Sequence, residues 1–282
     1  MKYKDDKVNP LDMGNSLREG AAAMYGGAPV PVDVDQGRVV AKGIPLEKVR
    51  ADLRQPRRAI PASVRLYWDG TQAGVDDMLG AWMDIAVAAG GPLDVVGMLK
   101  GQGDGVELEG KPAIFEQFVE LVRLAADIHR VGLSNPINVV EQAGSYVIES
   151  GERRWLAYNM LAVALDDAKY RRIPAFVQDG TNFVWRQASE NTARRSLNAI
   201  GMARQLALLI MEARRGVDGQ TYDEWEDIVV PGGCDRIFYA QVANGNIHRV
   251  PKGMGERIQQ AMGLSKSQLS RYRDLLRLTD NN

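Results

Sequence analysis

Cysteine and histidine are scarce in this chain, and each scarcity excludes a class of chemistry. Cys234 is the single cysteine, so an intramolecular disulfide and a zinc site with several cysteine ligands are both excluded. The two histidines, His129 and His248, are too few for most histidine-based metal sites, and we interpret them as ordinary surface or core side chains. No apolar run approaches the roughly 18 residues that cross a bilayer, and residues 1–6 lack the apolar core of a signal peptide. We therefore expect a cytoplasmic protein.

The composition is that of a soluble globular protein with about two domains. The 282 residues are 45% hydrophobic and 25% charged. The formal net charge of -1 conceals a segregated distribution, because 66–112 has two basic and eight acidic residues, whereas 181–215 has six basic and two acidic and 251–282 six basic and three acidic. Such basic segments favour a polyanion partner such as DNA, although solvated helix faces would give the same pattern.

Hydrophobic periodicity predicts an α+β domain in the first part of the chain. Residues 1–43 show little periodicity and predict a mobile tail. An amphipathic helix is predicted over 114–130, a β-hairpin over 137–148 and a buried strand over 173–177. Together these elements indicate an α+β domain with a small mixed sheet at 44–180.

The remainder of the chain, 181–282, is predicted to be all-helical. Helical periodicity recurs over 184–192 and again over 199–214. Two segments fit neither pattern and are interpreted as insertions, namely 66–112, which is rich in glycine and acid, and 216–249. The predicted architecture is therefore two domains, each interrupted by one insertion.

The clearest helical motif lies at 252–278 and is typical of a helix-turn-helix. A first helix is followed by a tight turn at Gly263, and Ser265 is predicted to be the N-cap of the second helix. Four side chains are predicted to pack inward: Leu264, Leu269, Tyr272 and Leu276. A polar and cationic set is predicted to face outward, toward base edges and phosphates of DNA: Lys266, Ser267, Gln268, Ser270, Arg271 and Arg273. The alternative is a plain helical hairpin.

A turn with the sequence Gly151-Glu152-Arg153-Arg154 stands where a predicted strand gives way to a helix. The first backbone N–H groups of a helix and the positive end of its dipole favour an anion at such a place. Gly151 would let a phosphate approach the backbone closely, and two consecutive arginines can donate to phosphate oxygens. Ordinary helix capping is the alternative for the tetrapeptide alone.

A second polar pair, Glu190-Asn191, lies on a predicted helix just before Arg194-Arg195. Carboxylate and amide oxygens are ligands that suit Mg²⁺, which usually takes one or two protein oxygens and completes its shell with phosphate and water. A Glu-Asn pair opposite the Gly151 turn would therefore be sufficient for a metal-nucleotide complex. A solvated helix face is the alternative for this motif in isolation.

The order of these motifs resembles that of the ParB family of chromosome and plasmid partition proteins, over most of 49–278. The matching boxes are Gln55-Pro56-Arg57-Arg58, Gly132-Leu133, Pro136-Ile137-Asn138-Val139, Tyr146-Val147-Ile148-Glu149-Ser150-Gly151-Glu152-Arg153-Arg154, Glu190-Asn191-Thr192-Ala193-Arg194 and Leu197-Asn198-Ala199-Ile200-Gly201-Met202-Ala203. The segment 263–278 also resembles the helix-turn-helix of that family. Several boxes in the family's order make coincidence a poor explanation.

The resemblance implies a ParB/sulfiredoxin-type fold followed by a helix-turn-helix domain. It implies that the protein binds CTP with Mg²⁺ and hydrolyses it slowly, closing a homodimeric clamp on double-stranded DNA in plasmid or chromosome segregation. The implied nucleotide-binding residues are Gln55, Arg57, Gly151, Glu152, Arg153, Arg154, Asn191 and Arg194. The implied Mg²⁺ ligands are Glu190 and Asn191, and the residues implied to act in hydrolysis are Gln55 and Glu190. A ParA-type ATPase partner and a nucleoid or plasmid location, away from membranes, belong to the same implication.

Two boxes depart from the family's pattern. Leu156 stands where the family usually has another arginine, and Gly201-Met202 replaces an acidic pair. The two insertions also fall between boxes, which suggests a divergent plasmid or mobile-element member. Family members usually continue into a C-terminal dimerisation domain, whereas this sequence stops at Asn282, directly after the helix-turn-helix.

Two alternatives of other classes stay open. One is a repressor of the ParB fold without nucleotide turnover. The other is an ATP-dependent small-molecule kinase of the same fold, which would not need a helix-turn-helix. Sulfiredoxin chemistry is disfavoured because Glu152 occupies the place of the cysteine that this chemistry needs, and Cys234 lies in an insertion.

Overall fold

The computed structural model describes residues 40–103, 105–193, 197–218, 239, 242–243 and 248–277. The described residues from Ala41 onward belong to one compact unit, so a domain boundary at residue 180 stays a prediction. The predicted mobile tail lies outside the described residues except for its last four positions, where strand β1 already begins at Lys42. Most of the predicted insertion 216–249 also lies outside them.

The sheet that the structure describes is small and mixed, as the sequence predicts. Its strands are β1 (Lys42–Pro45), β2 (Val49–Arg50), β3 (Ile137–Gln142), β4 (Ser145–Ser150) and β5 (Arg172–Gln178). They lie in the order β1-β5-β3-β4-β2. The pairs β1/β5 and β3/β4 are antiparallel, whereas β3/β5 and β2/β4 are parallel. Ala143 and Gly144, both with positive φ, close the predicted hairpin in a tight turn.

Helices pack on this sheet and make up most of the described residues after residue 182. In chain order they are α1 (Ala62–Arg65), α2 (Val75–Gly90), α3 (Val95–Leu99), α4 (Ala113–Val131), α5 (Glu152–Leu165), α6 (Phe183–Ala193), α7 (Ala199–Asp218), α8 (Met254–Met262) and α9 (Lys266–Leu275). The predicted helices at 114–130, 184–192 and 199–214 are confirmed as α4, α6 and α7. No helix among the described residues is long and apolar enough to cross a membrane.

The acidic segment 66–112 is predicted from the sequence to be an insertion, but it packs into the hydrophobic core next to the sheet. Its helix α2 buries Met78 and Trp82 completely or nearly so. Trp82 packs on Phe118 of α4 with ring centroids 5.8 Å apart, and its indole N–H donates to the carbonyl of Ile114 at 3.3 Å. The acidic residues of α2, Asp76, Asp77 and Asp84, lie on the exposed face of a helix whose inner face stabilises the domain.

A second hydrophobic cluster forms around α7 and joins it to α8 and α9. Leu206, Leu209 and Ile210 are buried in it, as their helical spacing predicts. Tyr239 and Val242, which fall in the predicted insertion 216–249, are fully buried in the same cluster. The helical half of the chain therefore has a core of its own, and α6 lies between this core and the sheet.

Candidate functional site

A cleft of about 600 Å³ lies where the end of β4 meets the segment 55–62, α4, α6 and α7. The described residues that the sequence predicts for nucleotide, metal and hydrolysis all line it: Gln55, Arg57, Gly151, Glu152, Arg153, Arg154, Glu190 and Asn191. Arg194 lies outside the described residues. The fold therefore brings together three boxes that are far apart in the sequence.

Gly151 sits at the N-cap of α5 with φ +104°, a backbone conformation that favours glycine. A Cβ atom at this position would lie 2.7 Å from Cγ2 of Ile137 and 2.9 Å from Nη2 of Arg154. The first turn of a helix leaves backbone N–H groups without intrahelical partners. Because Gly151 lines the cleft, those groups are placed where an anion would be stabilised.

The two arginines of the turn have different surroundings. Arg154 donates from Nη1 to the carbonyls of Asn135 and Pro136, the latter at 2.8 Å, and so ties α5 to the start of β3. Arg153 is exposed and forms an ion pair with Glu120 at 3.2 Å. An exposed pair of this kind contributes little stability, so Arg153 can exchange Glu120 for a ligand at small cost.

Glu152 points toward the segment that precedes α1. Its Oε2 accepts a hydrogen bond from the backbone N–H of Ala59 at 2.9 Å. Burial raises the pKa of this carboxyl to about 7, against the lowering effects of the Ala59 N–H and of Arg65. Glu152 therefore fixes the chain next to the Gln55-Pro56-Arg57-Arg58 box while it lines the cleft.

The raised pKa of Glu152 makes a prediction about stability and pH. The folded state binds this proton more tightly than the unfolded chain, where the carboxyl titrates near its ordinary 4.5. Its contribution to stability is therefore complete below that value and is lost as the pH rises through about 7. Between pH of about 5 and 8, the free energy of unfolding of Glu152→Gln should rise by about 2 kcal/mol relative to wild type, as measured by urea denaturation. The exposed control Glu47→Gln should show no such trend, and a flat difference for Glu152→Gln would contradict the assignment.

Three further arginines crowd this region, Arg58, Arg65 and Arg204, and none of them is among the residues predicted for the site. Burial, together with Arg65 and Arg204, lowers the pKa of Arg58 to about 9. Arg58 and Arg204 line the cleft, and Arg204 also lies over the ring of Tyr239 at 5.9 Å. Like charges brought so close favour a bound anion. Arg58 belongs to a box quoted above, whereas the placement of Arg204 depends on the tertiary fold.

A second cavity of about 820 Å³ adjoins the cleft and shares Ser150, Arg154 and Glu190 with it. Residues 130–136, which include the Gly132-Leu133 box, form much of its wall. The wall of this cavity has fewer charged side chains than the wall of the cleft, and it includes the apolar residues Leu124, Ile128, Leu133 and Phe176. Because the two cavities meet at Glu190 and differ in charge, together they can hold a single ligand that has a charged part and a less polar part.

Helix α6 supplies Glu190 and Asn191 to this junction. Asn191 is buried and donates from Nδ2 to Oε1 of Gln205 at 3.0 Å, which leaves Oδ1 as the atom suited to coordination. No group of three or more His, Cys, Asp or Glu side chains in the described part of the chain could hold a metal by itself. Glu190 and Asn191 fit Mg²⁺ that takes its other ligands from phosphate and water.

The segment 254–275 forms the predicted pair of helices. Ser265 caps α9 in a capping box, because its N–H donates to Oε1 of Gln268 and its Oγ accepts from the Gln268 N–H. The side chains predicted to pack inward do so: Leu264, Leu269, Tyr272 and Leu276. Five of the six predicted DNA-binding residues are exposed: Lys266, Ser267, Gln268, Ser270 and Arg271.

The sixth residue predicted to face DNA, Arg273, has different surroundings. It was predicted to face DNA, but its side chain is half-buried and donates to the carbonyls of Val242, at 3.0 Å, and His248, at 2.5 Å. Burial also lowers the pKa of Arg273. Arg273 therefore stabilises the packing of α9 on the preceding chain, since its guanidinium is already engaged by backbone oxygens.

Helix α6 also contacts the helix-turn-helix directly. Thr192 donates from Oγ1 to the carbonyl of Ala261 in α8 at 2.9 Å. Arg257 of α8 lies over the ring of Trp185 at 4.2 Å and donates to Oδ1 of Asn182 at 3.0 Å. One helix therefore carries three cleft residues, Gln187, Glu190 and Asn191, and contacts that hold α8.

These features define an α+β protein in which a cleft lined by arginine and glutamate side chains lies beside a helix-turn-helix. No protein-family model matches the chain. Over 143 residues the chain is 30% identical to the nucleoid occlusion protein of Bacillus pumilus (strain SAFR-032). The aligned region covers 49% of this chain and 42% of that protein. The chain thus spans less than half the length of this curated relative. The similarity supports the ParB-like relationship that the sequence boxes indicate.

Proposed function

We propose that this protein is a ParB-like DNA-binding protein whose cleft binds CTP with Mg²⁺ and whose nucleotide state controls a homodimeric clamp on double-stranded DNA. The observation that carries the proposal is the convergence of the Gln55, Gly151 and Glu190 boxes on one cleft. The helix-turn-helix and the similarity to a nucleoid occlusion protein support the DNA-binding part. The same proposal includes a role in plasmid or chromosome segregation and a ParA-type ATPase as a partner.

The two cavities suit the two halves of a nucleotide. In the proposal the triphosphate lies in the cleft, against the first turn of α5 and the arginines at positions 57, 58 and 153. The nucleoside lies in the second cavity, next to residues 132–136. Both volumes fall within the range of roughly 300 to 1,000 Å³ that small-molecule sites occupy. Glu190, which lines both, is then next to the phosphates, where Mg²⁺ would neutralise their charge.

Slow hydrolysis in this proposal resets a switch and does not process a metabolite. Gln55 lines the cleft, and its Nε2 donates to the carbonyl of Glu149 at 2.9 Å, which fixes the side chain. A glutamine held beside a triphosphate can orient a water molecule. Nucleotide binding needs to favour the closed dimer by only a few kcal/mol to shift the population of clamps decisively.

Calorimetric titration with each of the four ribonucleoside triphosphates and Mg²⁺ tests the proposal. Wild type should bind CTP selectively, and Arg57→Ala, at an exposed position of the cleft wall, should weaken CTP binding by about tenfold. The control Arg171→Ala removes another exposed arginine, which pairs with Asp166 away from the cleft, and should bind as wild type does. Equal affinity for all four nucleotides, or none, would contradict the proposal.

Arg154→Ala should abolish CTP binding altogether, but it also removes the hydrogen bonds to Asn135 and Pro136. Its thermal unfolding must therefore be measured beside its affinity. A variant that stays folded and loses CTP supports the proposal, whereas a folded variant with unchanged affinity contradicts it.

A repressor without nucleotide turnover is the second candidate, because the helix-turn-helix alone is sufficient for it. The two candidates differ in one measurement. In the clamp proposal, CTP changes the amount of protein retained on closed circular DNA, whereas a plain repressor gives the same retention with and without CTP.

A further inference from the structure

A buried carboxylate lies in the wall of the proposed anion site. Glu149, at the end of β4, is only 5% exposed and lines the cleft. Arg186 of α6 binds it with both arms of the guanidinium, from Nε to Oε1 at 2.8 Å and from Nη2 to Oε2 at 3.0 Å. This bidentate geometry is the strongest form of an Arg-carboxylate contact. Glu149 raises the pKa of Arg186, so the guanidinium keeps its positive charge.

Arg186 is also bound to the turn that leads into α6. Nη2 donates to the carbonyl of Asp179 at 2.8 Å, while Nη1 donates to the carbonyl of Thr181 and to Oδ1 of Asp179 at 3.4 Å. With the two bonds to Glu149, these contacts use all five N–H donors of a guanidinium. A lysine has only three donors on one nitrogen and cannot reproduce the arrangement.

The pair has an electrostatic consequence for the cleft. An isolated carboxylate with so little solvent around it would repel a triphosphate strongly, since repulsion between charges grows as the local dielectric constant falls. Paired with Arg186, Glu149 contributes no net charge to the wall. The same pair holds the N-terminal half of α6, and the C-terminal half carries Glu190 and Asn191.

We propose that Arg186 is a positioning residue of the cleft: it neutralises Glu149 and holds α6 on β4, so that an anion can enter and meet Glu190 and Asn191. The inference rests on the proposed nucleotide site, because it concerns what that site needs in order to accept a polyanion. It adds a residue that lies outside the boxes from which the site was predicted.

Three variants of the full chain test this role by their affinity for inorganic triphosphate and for CTP with Mg²⁺. Arg186→Gln leaves a buried carboxylate without its partner and should weaken binding of both ligands at least about tenfold. Glu149→Gln removes the carboxylate while Arg186 keeps its charge and its bonds to Asp179 and Thr181, so this variant should bind them at least as tightly as wild type. The double variant should recover to within about threefold of Glu149→Gln, because no unpaired carboxylate remains.

The expected difference in affinity between Arg186→Gln and Glu149→Gln separates electrostatic positioning from a merely structural ion pair. If the pair only held the fold together, Glu149→Gln and Arg186→Gln would lose affinity alike, and that result would overturn the inference. Arg171→Gln, which breaks the exposed pair with Asp166, is the control and should match wild type. If Arg186→Gln does not fold, the comparison of Glu149→Gln with wild type still decides, since weaker binding by Glu149→Gln contradicts neutralisation.

The failure of this inference can be told from the failure of the proposed function. Wild type that binds neither ligand overturns both. Wild type that binds CTP, beside Arg186→Gln that is folded and binds it equally well, overturns the role of Arg186 alone. Hydrogen exchange adds a second measurement: amides in 179–193 should exchange faster in Arg186→Lys than in wild type, and unchanged exchange would contradict the holding of α6.

Discussion

Replacing Gly151 with alanine should lower the free energy of unfolding by about 3 kcal/mol and abolish CTP binding. The left-handed backbone at φ +104° costs a residue with a Cβ about 1 to 2 kcal/mol. The contacts at 2.7 Å to Ile137 and 2.9 Å to Arg154 then add an overpacking cost of about 1 to 3 kcal/mol. Relief of those contacts must move Arg154 or the first turn of α5, and both line the cleft.

Gly144→Ala is the matched control for this prediction. Gly144 also has a positive φ, +77°, but a Cβ atom there meets nothing within 4 Å. Gly144→Ala should therefore lower the free energy of unfolding only by the backbone cost of about 1 kcal/mol, and it should bind CTP with normal affinity. Urea denaturation and calorimetric titration of both variants make the comparison. Equal destabilisation by the two substitutions would show that close packing around Gly151 is unimportant.

The double variant Lys266→Ala/Arg271→Ala should weaken binding to double-stranded DNA by about a hundredfold at moderate salt. Both side chains are exposed on α9, and each should neutralise one phosphate. The slope of the logarithm of affinity against the logarithm of salt concentration should therefore fall in magnitude by about 2. Fluorescence anisotropy over a salt series measures both quantities, and the thermal stability of the protein should stay unchanged.

Arg273→Ala provides the contrast within the same helix. Because Arg273 donates to the carbonyls of Val242 and His248, its loss should lower the free energy of unfolding by about 1 to 3 kcal/mol. The salt slope of DNA binding should stay as in wild type. A reduced slope with unchanged stability would return Arg273 to the DNA-binding face and contradict the structural assignment.

The parts of the fold that depend on local pattern could be predicted from the sequence. The spacing of apolar residues in 114–130 and 199–214 places α4 and α7 to within a few residues. Gly144 marks the hairpin, and Ser265 marks the start of α9 through its capping box. Each of these features is decided by residues close together in the chain, so sequence reasoning can reach it.

The features that the sequence did not reveal depend on distant partners. Arg273 has the spacing of an outward-facing residue, and only the distant carbonyls of Val242 and His248 draw its guanidinium inward. Arg186 lies outside the matching boxes and 37 positions from Glu149, so no local pattern indicates their pairing. The acidic composition of 66–112 conceals Met78 and Trp82, which are core residues of α2. In each case, tertiary packing overrides what the local composition suggests.

The pairing of β1 with β5 has a consequence for synthesis on the ribosome. Lys42 lies opposite Ala175, so the first strand that the structure describes finds its partner only after more than 130 further residues have been made. Until β5 is made, β1 and the edge of β3 that will pair with β5 have no hydrogen-bonding partner. The chain between β1 and β5 is a long loop, and long loops close slowly. A nascent chain that ends before residue 172 is therefore exposed to premature association, and its domain becomes self-sufficient only when β5 leaves the exit tunnel.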